Sequence, residues 1–267
     1  CVECALGGLH MEALRETTVA LAGAQVSAVV TAGSGVMHEL PVPGAVTLRA
    51  GERLRLGVPA PGAGCRVYLA LAGGVGGPRV LGSRSTLLSA GFGGLDGRPL
   101  RAGDELPAGE ARGAPGHATP ALRASLAGSL ARRVLRAVPE PGVPEDLARA
   151  FFGGSGATLF RASPRSDRTG LRLQPLRTEP DAHALSATTG VASPPHTPAL
   201  SSPRTDLPSR PAGVGAVQLP SPDEAIALLA DAPPTGGYEI VARVAPVDVP
   251  ALAQVRPGEI VRFERVS

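Results

Sequence analysis

Hydrophobic and polar positions alternate in short runs along most of the chain, with glycine-rich turns between them. From Cys1 to about Pro107 the runs include 17–21, 26–30, 46–48 and 67–71. A two-residue period over so few residues predicts strands with one buried face. Many of them at close spacing predict an all-β barrel or sandwich. The strand pattern returns at 132–138, 158–162, 215–219, 225–230, 239–244 and 260–266. Residues 144–152 predict one short helix, with Pro144 in its first turn and Glu145 and Asp146 near its positive end. Residues 120–131 fit a short helix or a tether. Residues 178–211 are rich in Pro, Ser, Thr and Ala with almost no period, and predict a disordered loop.

One turn recurs. Ala50-Gly51-Glu52-Arg53-Leu54, Arg101-Ala102-Gly103-Asp104-Glu105-Leu106 and Arg256-Pro257-Gly258-Glu259-Ile260 each place a glycine and an acid before a strand-like run. The recurrence points to two related β units. They are read as 1–115 and 116–267, the second carrying the irregular insert at about 178–211.

Composition narrows the chemistry. Glycine (35) and proline (28) are too dense for a helical bundle in 267 residues and suit short strands with tight turns. Aromatics are 3% and Trp is absent, so a core of Val, Leu, Ile and Ala is expected. The formal charge is only +3, and every basic residue is Arg. Without lysine there is no P-loop lysine, no Schiff base and no biotinylated lysine among these residues. The arginines are scattered among acids with few aromatics to stack bases, which argues against nucleic acid. Cys1 and Cys4 form a C-x-x-C with no second pair to complete a zinc site, and read as small apolar residues of a reducing cytoplasm. His10, His38, His117, His183 and His196 show no metal-ligand spacing, so no metal is expected. The longest apolar stretch, 19–32, is too short to span a membrane.

Three stretches carry candidate chemistry. Gly82-Ser83-Arg84-Ser85-Thr86 offers backbone N–H groups, hydroxyls and one guanidinium to an anion, or else is a turn stapled by its serines. Ser166-Asp167-Arg168, with Arg172, reads equally as an anion clamp or a local turn. Thr235-Gly236-Gly237-Tyr238 is a Gly-Gly hinge bearing a hydroxyl and a phenol, or a hairpin turn with Tyr238 packed on the barrel. By contrast, Gly73-Gly74-Val75-Gly76-Gly77 lacks the Lys-Ser/Thr and the helix of a phosphate cradle and reads as a strand-to-turn connection.

Four collinear stretches resemble the allophanate hydrolase subunit 2, or biotin-dependent-carboxyltransferase-like, family. They are 70–75 with 80–86; 90–100 closed by Gly103-Asp104; 166–173; and Gly215-Ala216-Val217-Gln218-Leu219-Pro220 followed by Asp231 and 235–238. The resemblance implies two cyclophilin-like β-barrel units in a pseudo-twofold arrangement, mainly β with few short helices. It implies ATP-dependent opening of 5-oxo-L-proline to L-glutamate, shared with A-type and B-type subunits, the B-type one being Kip inhibitor-like. ATP would be held mainly by those partners. Alternatives within the family are carboxyl transfer from carboxybiotin to urea or a similar amide, and non-catalytic capture of a Kip-type kinase inhibitor. Carried onto this sequence, the candidates for binding substrate or an anion are Ser83, Arg84, Ser85, Asp167, Arg168, Arg172, Gln218, Asp231, Thr235, Gly236, Gly237 and Tyr238. Arg84, Arg168 and Arg172 would bind a carboxylate or phosphorylated intermediate, and the 235–238 loop would close over it.

The departures from the family pattern lie in loops. The usual Met-Gly-Tyr-Arg is Thr169-Gly170-Leu171-Arg172, the usual Pro-Gly before Ala216 is Val214-Gly215, and the usual Gln-Thr-Thr-Gly-Gly-Tyr-Pro is Pro233-Pro234-Thr235-Gly236-Gly237-Tyr238-Glu239. Family members also carry some tens of residues before the strand at Glu3. The chain therefore reads as a piece of something longer, inactive alone, whose first unit would have an open edge.

Overall fold

Strands form where the alternation predicts them. In Thr17–Gly23 the side chains of Val19 and Leu21 are buried while Ala20 and Ala22 are exposed. The computed structural model describes residues 1–110, 119–153, 158–176, 200, 204 and 206–267. The chain divides into two compact units, 1–127 and 128–267. The boundary read at 115 lies outside the described residues.

The first unit contains β1 (Val2–Ala5), β2 (His10–Glu12), β3 (Thr17–Gly23), β4 (Ala28–Thr31), β5 (Met37–Glu39), β6 (Gly44–Leu48), β7 (Arg53–Leu56), β8 (Arg66–Leu71), β9 (Thr86–Leu87) and β10 (Phe92–Gly93). Two antiparallel four-stranded sheets, β1-β8-β3-β6 and β2-β7-β4-β5, share one core. Val19, Leu21, Val67 and Leu69 enter it from one sheet and Val30, Leu54 and Leu56 from the other. Each is a residue at the inward phase of a two-residue period. This core is aliphatic, as composition predicts. Cys4 belongs to it, whereas Cys1 is exposed. The helix α1 (Pro120–Leu130) buries none of its residues.

The second unit is a closed barrel. Its elements are β11 (Val134–Pro139), α2 (Glu145–Phe152), β12 (Leu159–Ala162), β13 (Gly170–Pro175), β14 (Arg210–Pro211), β15 (Ala216–Ser221), β16 (Glu224–Leu228), β17 (Thr235–Gly236), β18 (Glu239–Val244), α3 (Val249–Leu252) and β19 (Ile260–Arg265). The order round the barrel is β11-β18-β15-β16-β13-β12-β19, and β19 runs parallel to β11 to close it. The fold is thus mainly β with a few short helices.

The barrel core departs from the aliphatic expectation. Leu135, Leu171, Leu173, Val217 and Leu219 line it together with Phe160 and Phe263. Helix α2 adds Phe151 and Phe152 from one face that also buries Leu147 and Ala148. Phe151 stacks on Phe263 at 5.0 Å and meets Phe160 at 5.2 Å and Phe152 edge-on at 5.1 Å. Four of the chain's five phenylalanines are thereby gathered in one cluster. Burying each ring stabilises the unit by roughly 2–3 kcal/mol. Scarcity over the whole chain concealed a local concentration.

Adjacent residues on β15 and β16 face the other way. Ala216, Leu228 and Ile240 form a separate cluster with Ala212 on the outer wall of the barrel. The two-stranded ribbon β14–β17 belongs to the segments that flank this wall: Arg210 pairs with Gly236 and Pro211 with Thr235. Regular structure therefore resumes at Arg210, ahead of the predicted Gly215. Leu200, also inside the stretch read as irregular, is buried in the barrel core. The rest of that stretch up to 203, together with residue 205, lies outside the described residues.

The three recurring turns share one geometry. Gly51, Gly103 and Gly258 adopt φ of +83°, +90° and +86°, a left-handed conformation that favours glycine. In each, the preceding arginine donates its backbone N–H to the acid's carboxylate: Arg49 to Glu52 at 2.9 Å, Arg101 to Asp104 at 2.7 Å and Arg256 to Glu259 at 2.9 Å. The acid's own N–H returns to the arginine carbonyl at 3.0, 3.1 and 3.1 Å. Two of the turns lead into β7 and β19. The third leads to an isolated bridge between Ala108 and Val75.

Candidate functional site

The candidates in the first unit lie on a tight hairpin. Val80 and Ser83 exchange backbone hydrogen bonds of 2.8 and 3.0 Å across Leu81 and Gly82, both at positive φ. That geometry matches the twist of a two-residue hairpin loop. Ser83 Oγ accepts the Ser85 N–H at 3.0 Å, and Arg84 Nε donates to the Gly77 carbonyl at 3.1 Å. Ser83, Arg84 and Ser85 are all exposed. The stapled-turn reading thus describes the serine geometry, with the rest of the Arg84 guanidinium directed to solvent. The nearby 73–77 segment is a connection: Gly74 N–H closes onto Leu71 O at 2.8 Å, and a Cβ on Gly73 would overlap the backbone of Gly109 and Glu110.

In the second unit the predicted arginines are already matched. Arg168 makes a forked pair to Asp231, Nε to Oδ2 at 2.8 Å and Nη2 to Oδ1 at 3.0 Å. Backbone bonds from Asp231 N to Arg168 O and from Leu229 N to Thr169 O extend the β13–β16 ladder beneath that fork. Asp167 caps the turn, its Oδ1 accepting from Thr169 N at 2.8 Å and Gly170 N at 3.2 Å. Arg172 donates to Glu224 at 3.0 Å, and Arg165 donates to the other oxygen of the same carboxylate at 2.7 Å. An anion approaching Arg168 or Arg172 must therefore share its donors with a carboxylate.

The outer wall beside the ribbon is different. Gln218 sits on β15 where the register shifts against both neighbours, β16 and β18. Such irregularities re-aim a side chain out of the regular pleat. Gln218 is only 6% exposed. A Cβ on Gly236 would stand 2.5 Å from Gln218 Nε2, so a side chain there would displace the end of Gln218. Thr235, Gly237 and Tyr238 are exposed, Tyr238 at 52%. Next to it Glu239 is 2% exposed and held by Arg204, whose Nε and Nη2 reach Oε1 at 3.0 and 2.8 Å. This pair stands where the family pattern has proline.

Two residues that sequence reading passed over belong here. Arg210 is half-buried, lies opposite Gly236, and has a buried Nε with no partner among the described residues. Arg204 pins its stretch to Glu239. Both sit within the segment read as disordered, where composition hid them. Among the described residues no group of three or more His, Cys, Asp or Glu could hold a metal ion, and no helix is long and apolar enough to cross a membrane. His117, His183 and His196 lie outside the described residues. An open depression beside α2 is lined by Glu140, Glu145 and Arg265, and each of these is already in an ion pair.

The chain is thus mainly β, with a closed seven-stranded barrel in its second unit. The family model for the carboxyltransferase domain, subdomains A and B, matches residues 1–265, and the chain belongs to that family. It is 33% identical over 225 residues to the C-type 5-oxoprolinase subunit of Escherichia coli (strain K12), covering 82% of this chain and 62% of that protein. To the C-type 5-oxoprolinase subunit of Haemophilus influenzae it is 35% identical over 204 residues, covering 75% and 56%. The chain thus spans less than two thirds of each relative. Among solved structures, that of TTHA0988 superposes with a TM-score of 0.70 at 31% identity, over 99% of this chain and 44% of the other. Kluyveromyces lactis urea carboxylase gives 0.69 at 21% identity, over 99% and 23%, a likeness of fold.

Proposed function

We propose that this chain acts as the C-type subunit of a 5-oxoprolinase, opening 5-oxo-L-proline to L-glutamate at the expense of ATP together with A-type and B-type subunits. The observation that carries this reading is the identity to C-type 5-oxoprolinase subunits over most of the chain. A lactam resists water because its nitrogen lone pair is delocalised onto the carbonyl. Phosphorylating the carbonyl oxygen removes that resistance, and water then attacks the carbon. Phosphate handling falls to the partner subunits, since no lysine stands among these residues. This chain contributes a wall of donors, with Asp231 and Glu224 holding Arg168 and Arg172 in fixed orientation. Three cysteines outside any disulfide suit the cytoplasm.

The test is 5-oxoproline-dependent ATP hydrolysis by the three co-purified proteins, with and without this chain. Turnover only when all three are present is expected, and none from this chain alone. Equal turnover without this chain would refute the assignment. The 36% identity over 110 residues to a putative urea carboxylase of Emericella nidulans favours carboxyl transfer as the second reading. Carboxylation of urea by a carboxybiotin donor, without 5-oxoproline turnover, would establish it instead.

A further inference from the structure

The ribbon β14–β17 and the barrel wall bring a buried unmatched donor and a side-chain amide to one place. Residues directly opposite on paired strands project from the same face. Arg210 and Gly236 are such a pair, and the Cβ direction of Gly236 points onto Gln218 Nε2. Arg210 therefore projects from the ribbon face that carries Gly236 against Gln218. Its Nε is buried without an acceptor among the described residues, and Gln218, across Gly236 from it, is only 6% exposed. A buried donor left unmade costs on the order of 1–3 kcal/mol, so its position beside the Gln218 amide calls for an explanation. Arg123, Arg133 and Arg262 also have a buried nitrogen without a hydrogen bond, but Arg133 is ion-paired to Glu259. Arg210 differs from all three in facing the Gln218 amide across a glycine.

We propose that Arg210 and Gln218 form the substrate-reading pair of this site, binding a small molecule in which a carboxylate stands next to an amide. Arg210 takes the carboxylate through charge-assisted hydrogen bonds, and Gln218, donor and acceptor at once, takes the amide edge. Gly236 keeps the space between them open. The ligand class follows from the donors; naming 5-oxo-L-proline, an α-carboxylate lactam, rests on the proposed function. Arg168 and Arg172, each matched by a carboxylate, then position the wall without being the primary anion contacts.

The experiment uses the complete three-protein complex, with Arg210→Ala and Arg210→Lys in this chain. The KM for 5-oxo-L-proline should rise at least tenfold in Arg210→Ala with kcat nearly unchanged. Competitive inhibition by 2-pyrrolidone, which has the ring amide but no carboxylate, should not move. Arg210→Lys should recover part of the KM, and matching melting curves exclude a folding defect. An unchanged KM in Arg210→Ala, or an equal loss of 2-pyrrolidone binding, overturns the pair while leaving the 5-oxoprolinase reading intact. If the wild-type complex shows no 5-oxoproline turnover, that reading fails separately. Calorimetric titration of the full chain with sodium acetate and 5-oxo-L-proline then decides: heat lost in Arg210→Ala sustains the pair, and identical traces overturn it.

Discussion

Asp248 is 2% exposed and carries four donors on its two oxygens. Arg136 gives its backbone N–H at 2.9 Å, Nε at 2.8 Å and Nη2 at 2.8 Å, and Arg132 adds Nη1 at 3.0 Å. The Arg136 guanidinium, against the opposing effect of burial, holds this carboxyl down from 3.8 to about 2. The unfolded chain takes up a proton near its ordinary value and the folded chain only near 2, so between those values the unfolded state binds more protons. Stability is therefore complete above about pH 4 and falls as pH drops toward 2, by roughly 2 kcal/mol from this group. Asp248→Asn should lower stability at pH 7 by about 3 kcal/mol and flatten that acid slope, as chemical denaturation across pH would show. An unchanged slope would mean that other carboxyls carry the acid transition. None of this was legible in sequence. Arg136 and Asp248 are 112 positions apart, and Arg168 and Asp231 are 63 apart. Many arginines among many acids give no local signal for which pairs meet, so Arg168 reads as an open clamp until Asp231 is placed against it.

Elements are legible where their cause is local. The Gly-acidic turn is written within four residues, because one positive φ and one carboxylate reaching back to an N–H are enough to make it. Gly258 has nothing within 4 Å of an added Cβ, so its requirement is conformational rather than steric. Gly258→Ala should cost about 1 kcal/mol, with Gly258→Asn tolerated better, measured by thermal melting. A loss several times larger would show that the turn does more than hold β19 in register. The ribbon β14–β17 was missed for the opposite reason. Two strands of two residues each have no period to detect, and their partners are set by the wall they lie against. The site residues on 235–238 were visible as a motif, while Arg210, which the ribbon places across from Gly236, was not.

On the scale of the whole molecule, the alternation predicts a mainly β chain correctly but not how each set of strands closes. The first unit is two four-stranded sheets and the second a closed ring, and both are built from similar short alternating patterns. Closure depends on β19 lying between β11 and β12, parallel to one and antiparallel to the other. Removing residues 259–267 should abolish the cooperative transition of the second unit and leave that of the first, as two-step melting of the intact and shortened chains would show. A retained second transition would mean that the remaining strands re-pair. The same arrangement constrains biosynthesis. While the chain emerges from the ribosome, β11 and β12 wait side by side with a strand-wide gap between them until 260–265 clears the exit tunnel. For that interval the nascent protein exposes two unpaired edges and a phenylalanine pocket lacking Phe263, so this is when it is most open to chaperones and to wrong pairing.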